Sequence, residues 1–210
     1  MPLQNRVDPF GHIHAVTARG MFMGNRGGCF HRDDRTLKPT HWANRQWITC
    51  RLEFKGRKRE LMAPGLYTEL FFLDEATALA AGHRPCYECR RADAQAFREA
   101  LMARDVFTEP PLVGQLNDGI AGEVQARLKE RRTPPTGDAA DLPDGAMFSE
   151  GETAWLKLGA AAHRWSFEGY GSCRALPEGP VAVLTPAMSL EALRGGYRPA
   201  LHPSVSPPAG

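Results

Sequence analysis

The chain has 210 residues, 42% of them hydrophobic and 24% charged, enough apolar mass to bury a core in one large domain or two small ones. No apolar run approaches the ~20 residues that span a bilayer, which excludes a helical membrane protein. Five cysteines are too few and too irregular for a disulfide scaffold. The start, Met1-Pro2-Leu3-Gln4-Asn5-Arg6, has no apolar leader core, so the expectation is a cytoplasmic, reducing setting in which close cysteines do metal or redox chemistry.

Net charge is only +2, but it is unevenly spread. From Arg19 to Arg59 there are eleven Lys/Arg against three acids, and from Asp138 to Glu152 five acids and no Lys or Arg. Such segregation suits a polyanion footprint on the N-terminal half, although a basic, solvated surface has the same composition.

In chain order, Val7 to Ala43 is Gly- and Arg-rich with weak periodicity. Gly24-Asn25-Arg26-Gly27-Gly28-Cys29-Phe30-His31 reads as a tight loop, because glycine takes positive φ freely. Trp47 to Phe54 alternates apolar and polar residues and predicts a strand. The polar turn Lys55-Gly56-Arg57-Lys58 then closes a hairpin that returns over Arg59 to Met62. Pro64-Gly65 marks a turn, and Tyr67 to Leu73, dense in β-formers, predicts a third strand.

Asp74 is placed to cap a short helix over Glu75 to Ala81, with Gly82 as its stop. The cysteine pair follows in a Pro-containing turn. Further helices are expected over Ala92 to Ala103 and Ile120 to Arg131, each with an apolar stripe at helical spacing. Thr133 to Gly137 reads as a linker or exposed loop. Short strands are expected at Ala146 to Phe148, Thr153 to Leu158, Arg164 to Phe167 and Val181 to Leu184, and a helical turn over Ser189 to Arg194. Trp155, Trp165 and Tyr170 are expected in the core of that C-terminal sheet, and 203–210 as a disordered tail.

The chemistry concentrates in His83-Arg84-Pro85-Cys86-Tyr87-Glu88-Cys89. A Cys-x-x-Cys turn points two sulfurs the same way and suits two corners of a tetrahedral Zn2+ site. Arg84, Arg90 and Arg91 flank the pair and would favour thiolates. Cys50 is the expected third ligand, against the alternative of a small core residue. The fourth is open between Cys29 and His31, with His41 and His83 as weaker options and Cys173 as a plain thiol. A thioredoxin-like dithiol would follow a strand and open a long helix, whereas this pair follows a helix stop.

The segment Glu75-Ala-Thr-Ala-Leu-Ala-Ala-Gly-His-Arg-Pro-Cys-Tyr-Glu-Cys-Arg-Arg91, with Leu70-Phe71-Phe72-Leu73 before it, resembles the end of the metal-binding domain of Ada-type DNA methylphosphotriester repair proteins. That family reads as an aromatic strand, a capped helix and then Arg-Pro-Cys-x-x-Cys. The resemblance implies zinc ligation by Cys86 and Cys89 and docking on DNA backbone. The family's other ligand pair, Cys-x-x-x-Cys, whose first sulfur accepts the methyl group, has no counterpart here: Cys29 and Cys50 stand twenty-one positions apart.

Elsewhere, His31 with Asp33 and Asp34 could serve hydrolysis, His31 as base and the carboxylates as metal ligands, or form a polar loop whose acids cap a turn. Gly24-x-x-Gly27-Gly28 lacks the Lys-Ser/Thr of a phosphate loop. Arg45, Lys55, Arg57, Lys58 and Arg59 interleave with Trp42 and Trp47 and are the candidate nucleic-acid contacts.

The expectation is thus an α+β protein: a zinc-stabilised β-hairpin and helix module over 1–132, then a small β-rich part over 133–202. Its expected role is a zinc protein that binds nucleic acid, DNA in preference to RNA, with a damage-related role. The alternative is an enzyme, either a cysteine thiolate alkyl acceptor or a hydrolase built on His31, Asp33 and Asp34.

Overall fold

The computed structural model describes residues 1–56 and 60–205, and it is α+β with two six-stranded sheets and four helices among those residues. The first sheet contains β1 (Arg6–Val7), β2 (Ile13–His14), β3 (Phe22–Arg26), β4 (Trp47–Arg51), β5 (Leu70–Phe72) and β6 (Arg84–Pro85), in the order β2-β1-β5-β3-β4-β6. Helix α1 (Glu75–Ala80) separates β5 from β6.

Two corrections concern the N-terminal half. The segment expected to be a loop from Gly24 is strand β3 through Arg26, and only Gly27 and Gly28, at φ 82° and 151°, form the turn. Gly24 belongs in the strand because the sheet closes over it: a Cβ there would stand 2.2 Å from the Ile48 carbonyl oxygen. Strand β4 ends at Arg51 and pairs antiparallel with β3, Met23 opposite Cys50, and the described part of the expected returning arm, 60–62, is not a strand. Of that expected hairpin tip, Arg57, Lys58 and Arg59 lie outside the described residues.

The helix after β5 is built as its residues dictate. The Asp74 carboxylate accepts from Thr77 N (2.9 Å), one of the backbone donors that the first turn leaves bare, and from Thr77 Oγ1 (2.7 Å). At the other end Gly82 takes φ +84°, and His83 N donates to Ala78 O, which turns the chain out of the helix and into β6. A side chain at Gly82 would meet Val124 Cγ2 at 2.9 Å, so close packing as well as φ selects glycine.

Helix α2 (Arg91–Met102) matches its expected range within a residue, whereas α3 (Val113–Glu130) starts seven residues before the expected Ile120. Gly114, Asn117 and Gly119 in those first turns are poor helix formers and mask the pattern. Packing holds this part of α3 instead: Leu116 and Ile120 are buried with Phe97 and Leu101 of α2.

The second sheet contains β7 (Thr136–Asp138), β8 (Met147–Glu150), β9 (Thr153–Leu158), β10 (Ala161–Ser166), β11 (Gly169–Ala175) and β12 (Pro180–Val183), in the order β11-β10-β9-β8-β12-β7. The expected linker at 133–137 contributes β7, with Gly137 opposite Val181. Strand β11 is unforeseen because Gly-Tyr-Gly-Ser-Cys has little β-propensity, and pairing with β10 holds it.

Helix α4 (Ala187–Arg194) completes the fold. The main core joins Leu79, Phe97 and Ile120 to Phe148, Trp155 and Val183, so the helices of the first part pack on the second sheet. Trp165 Nε1 donates to Thr77 Oγ1 at 3.0 Å, and Tyr170 OH donates to Asp74 at 2.8 Å. Of the expected tail, Ser204 Oγ accepts from Tyr170 N at 2.7 Å, and 206–210 lie outside the described residues.

Candidate metal centre

Strand β6 is only two residues long, but its register decides the site. It runs parallel to β4, with Ile48 opposite Arg84 and Thr49 opposite Pro85. Cys86 N then donates to Thr49 O at 3.0 Å, which sets Cys86 beside Cys50. The turn that follows closes through Arg90 N to Cys86 O (3.0 Å) and brings Cys89 back to the same point. Within it, Glu88 N points at Cys86 Sγ at 3.4 Å, the kind of N–H to sulfur contact that stabilises a thiolate.

Ligand atoms of Cys50, Cys86 and Cys89 all lie within 4.8 Å of one another, and all three residues are buried. Met23, Ile48 and Phe54 pack around them. This group can hold a metal ion. Among the described residues no fourth Cys, His, Asp or Glu joins it.

The three thiols set one another's ionisation. Hydrogen bonds from Cys50 and Cys89 pull the Cys86 thiol down to about 2. The Cys50 thiol is pushed up by its bonds to Cys86 and Cys89 and by burial. Cys89 also sits above its ordinary value: the bond from Cys50 lowers it, but Cys86 and burial outweigh that. Ionisation of Cys86 is thus favoured by its two neighbours, and ionisation of Cys50 and Cys89 is opposed. A dication held there would offset that opposition, with Cys50, Cys86 and Cys89 as its thiolate ligands.

The three cysteines line a cleft of about 620 Å³ whose other walls include Arg6, Arg19, Arg51, Glu53 and Glu88. Arg6 and Arg19 come from a segment with no sequence periodicity to announce them. The parallel pairing of β1 with β5, Arg6 opposite Phe71, carries Arg6 to the cleft, its guanidinium 4.6 Å from the Phe71 ring centroid.

Two of the three arginines flanking the pair have other duties. Arg84 donates to Asn117 Oδ1 of α3 at 3.0 Å, and Arg90 pairs with Glu75 at 2.8 Å and Asp93 at 2.9 Å. Arg91 is exposed at the start of α2.

Cys29 and His31, the candidates for the fourth ligand, are not brought to the group. His31 lies with Nδ1 2.7 Å from Thr68 Oγ1 and Nε2 3.2 Å from Ala63 O. The carbonyl can only accept, so Nε2 carries the proton and Nδ1 takes the Thr68 hydroxyl. Both ring nitrogens are then engaged in the protein, with Cys29 Sγ 3.8 Å from Nδ1.

His83 is buried against Trp47 and Phe72, and Cys173 faces His163 at 3.9 Å. Asp34 accepts from Thr36 N (2.9 Å) and Oγ1 (2.7 Å), so it caps a turn, and no donor group forms from His31, Asp33 and Asp34.

Of the candidate nucleic-acid contacts, Arg45 is tied to Asp118 at 2.9 Å and Gln125 at 3.3 Å on α3, away from the cleft. Lys55 is exposed, its ammonium 5.0 Å from the Phe54 ring centroid. Trp47 is core: it is 1% exposed and carries the Arg26 guanidinium 4.0 Å from its ring centroid. Among the described residues no helix is long and apolar enough to cross a membrane. No protein-family model matches the chain, and neither does any curated protein or solved structure.

Proposed function

We propose that the chain is a zinc protein in which Cys50, Cys86 and Cys89 hold the ion and the fourth position takes a ligand from the cleft. The observation that carries this is the convergence of three sulfurs within 4.8 Å on the wall of that cleft. Three thiolates are a soft donor set that favours Zn2+ over the hard cations Mg2+ and Ca2+.

The partner is nucleic acid, DNA before RNA, lying across the mouth of the cleft on Arg19 and Arg51, with Lys55 next to the cleft residue Phe54 in the chain; all three cations are exposed. The Ada-like segment supports the same reading, including a role at damaged DNA. Glu53 and Glu88 share the cleft, so the cations at its rim carry the phosphate contacts. Mass spectrometry of the folded protein under native conditions tests the first part, with one zinc per chain expected. A salt series tests the second. Duplex affinity should fall with log salt, and Arg19→Ala with Arg51→Ala should flatten the slope by about 2, roughly 0.9 for each phosphate left without its arginine. Absence of binding at low salt overturns the nucleic-acid reading and leaves the zinc in place.

A second reading rests on the sulfurs facing the cleft. A thiolate there could attack a methyl phosphotriester, forming an S–C bond as the C–O bond breaks and releasing a phosphodiester anion. A methyl adduct on Cys50, Cys86 or Cys89 is the expected product, and unmodified cysteines after exposure to methylated DNA overturn it.

A further inference from the structure

A second concavity, about 450 Å³, lies between the turn before β2, the loop at 39–42 and the C-terminal end of α3. His12, Thr40, His41, Trp42, Leu128 and Lys129 line it. It shares no residue with the cysteine cleft, and no acid is among its lining residues.

Behind it sits Arg26, fully buried, with Nη2 donating to the carbonyl of Gly11, which lines the groove. Its Nε reaches His83 at 3.4 Å, and its Nη1 has no hydrogen-bond partner among the described residues. The nearby carboxylate is Asp8, which is committed to His14 Nε2 at 2.7 Å and to His12 N at 2.9 Å and stands 3.7 Å from His12 Nδ1, leaving the other ring nitrogen of His12 for a ligand. The guanidinium is compensated by the Trp47 ring face and at a distance by Asp8, but no carboxylate among the described residues hydrogen-bonds it, and its charge acts on the groove floor. His41 registers that field: burial lowers its pKa, and the charges of Arg26 and His12 lower it further.

We infer that this groove binds a small organic phosphate, a phosphomonoester whose organic part lies along Trp42, Pro39 and Leu128. Lys129 supplies a flexible ammonium, His12 and His41 supply imidazole N–H groups, and Thr40 a hydroxyl, which together suit the three terminal oxygens of a phosphate. The volume exceeds what a bare phosphate fills and falls within the ~300–1,000 Å³ of small-molecule sites. Trp42 offers an aromatic wall, so a nucleoside monophosphate is the fitting probe.

The test titrates the zinc-loaded protein with AMP, inorganic phosphate and adenosine. Saturable AMP binding is expected, with phosphate weaker and adenosine silent. Lys129→Met and His41→Gln should each weaken AMP by about tenfold or more, and both leave the zinc content unchanged. Because an anion opposes the field of Arg26, AMP should also raise the His41 pKa seen by NMR. The inference is overturned by adenosine binding as tightly as AMP, by Lys129→Met leaving AMP affinity unchanged, or by no saturation by about 10 mM. Displacement of AMP by an oligonucleotide lacking a terminal phosphate also overturns it, and assigns the groove to the phosphodiester backbone.

Discussion

Glu75 and Arg90 are ion-paired at 2.8 Å with 2% and 3% of their side chains exposed. Glu75 opens α1 and Arg90 follows Cys89, so the pair ties the helix before the cysteine turn to the residue after it. Tyr197 OH donates to Glu75 Oε1 at 2.5 Å and Ala200 N to Oε2 at 3.0 Å, which joins the C-terminal segment to the same carboxylate. Burial would lower the Arg90 guanidinium, but the hydrogen bond and charge of Glu75 carry it above its usual value.

Removing Arg90 leaves the buried Glu75 carboxylate without a cation, and removing Glu75 leaves the buried Arg90 only the half-exposed Asp93. Arg90→Met or Glu75→Gln alone should cost about 3–5 kcal/mol, and the double variant clearly less than the sum. Urea midpoints of the three proteins check this, and additive losses would show that the two side chains are not coupled.

The cysteines should separate cleanly in metal content. Cys50→Ser, and Cys86→Ser with Cys89→Ser, should fall to less than about half an equivalent of zinc, because two or fewer thiolates cannot hold the ion against solvent. Cys29→Ser and Cys173→Ser should keep a full equivalent. Chelation should lower the Tm of the native protein, since metal binding is linked to folding. Full zinc in Cys50→Ser would move the site elsewhere.

Asp74 is both a helix cap and an anchor for the second sheet, accepting from Thr77, Tyr170 OH (2.8 Å) and His202 N (3.1 Å). Asp74→Ala should cost about 2–4 kcal/mol, from the lost cap and the buried Tyr170 hydroxyl left without its acceptor. Tyr170→Phe removes donor and cost together and should lose only about 0.5–1.5 kcal/mol. Equal losses in thermal unfolding would contradict the double role.

The Asp8–His14 contact gives a pH signature. Burial would raise Asp8, but hydrogen bonds from His12 and His14 hold it down at about 2, against an ordinary 3.8. Its contribution is present above 3.8 and is lost as pH falls toward 2. His14 is raised above 6.5 by its bond to Asp8, so its contribution is complete below 6.5 and is lost as pH rises through the raised value. His14→Ala should therefore lower Tm more near pH ~5 than near pH ~9. The reverse order would show that the pair does not stabilise the fold. The half-exposed imidazole keeps the effect small.

The parts legible in the sequence share a short range. Asp74 capping, the Gly82 stop and the turn from Cys86 to Cys89 each depend on residues within about four positions, where side chain, φ preference and hydrogen bond are set by neighbours. The unforeseen parts depend on distant partners. Helix α3 begins early because Leu116 packs on α2 despite poor formers around it, and β11 exists because β10 holds it. The hairpin expected after Phe54 failed for the same reason: β4 finds its partners in β3 and β6, one before it in the chain and one beyond α1.

Cys86 and Cys89 were therefore determined as a pair by the sequence alone, through the local geometry of Cys-x-x-Cys after a capped helix. Cys50 was nameable from its place in a strand, but its presence at the site was decided by the parallel register of β4 with β6. His31 is instead held with both ring nitrogens against Thr68 and Ala63, and Cys29 lies beside it rather than beside the other three sulfurs. Local chemistry places side chains on a turn, whereas only strand pairing decides which turns meet, because a shift of one residue in a strand sends its side chain to the opposite face.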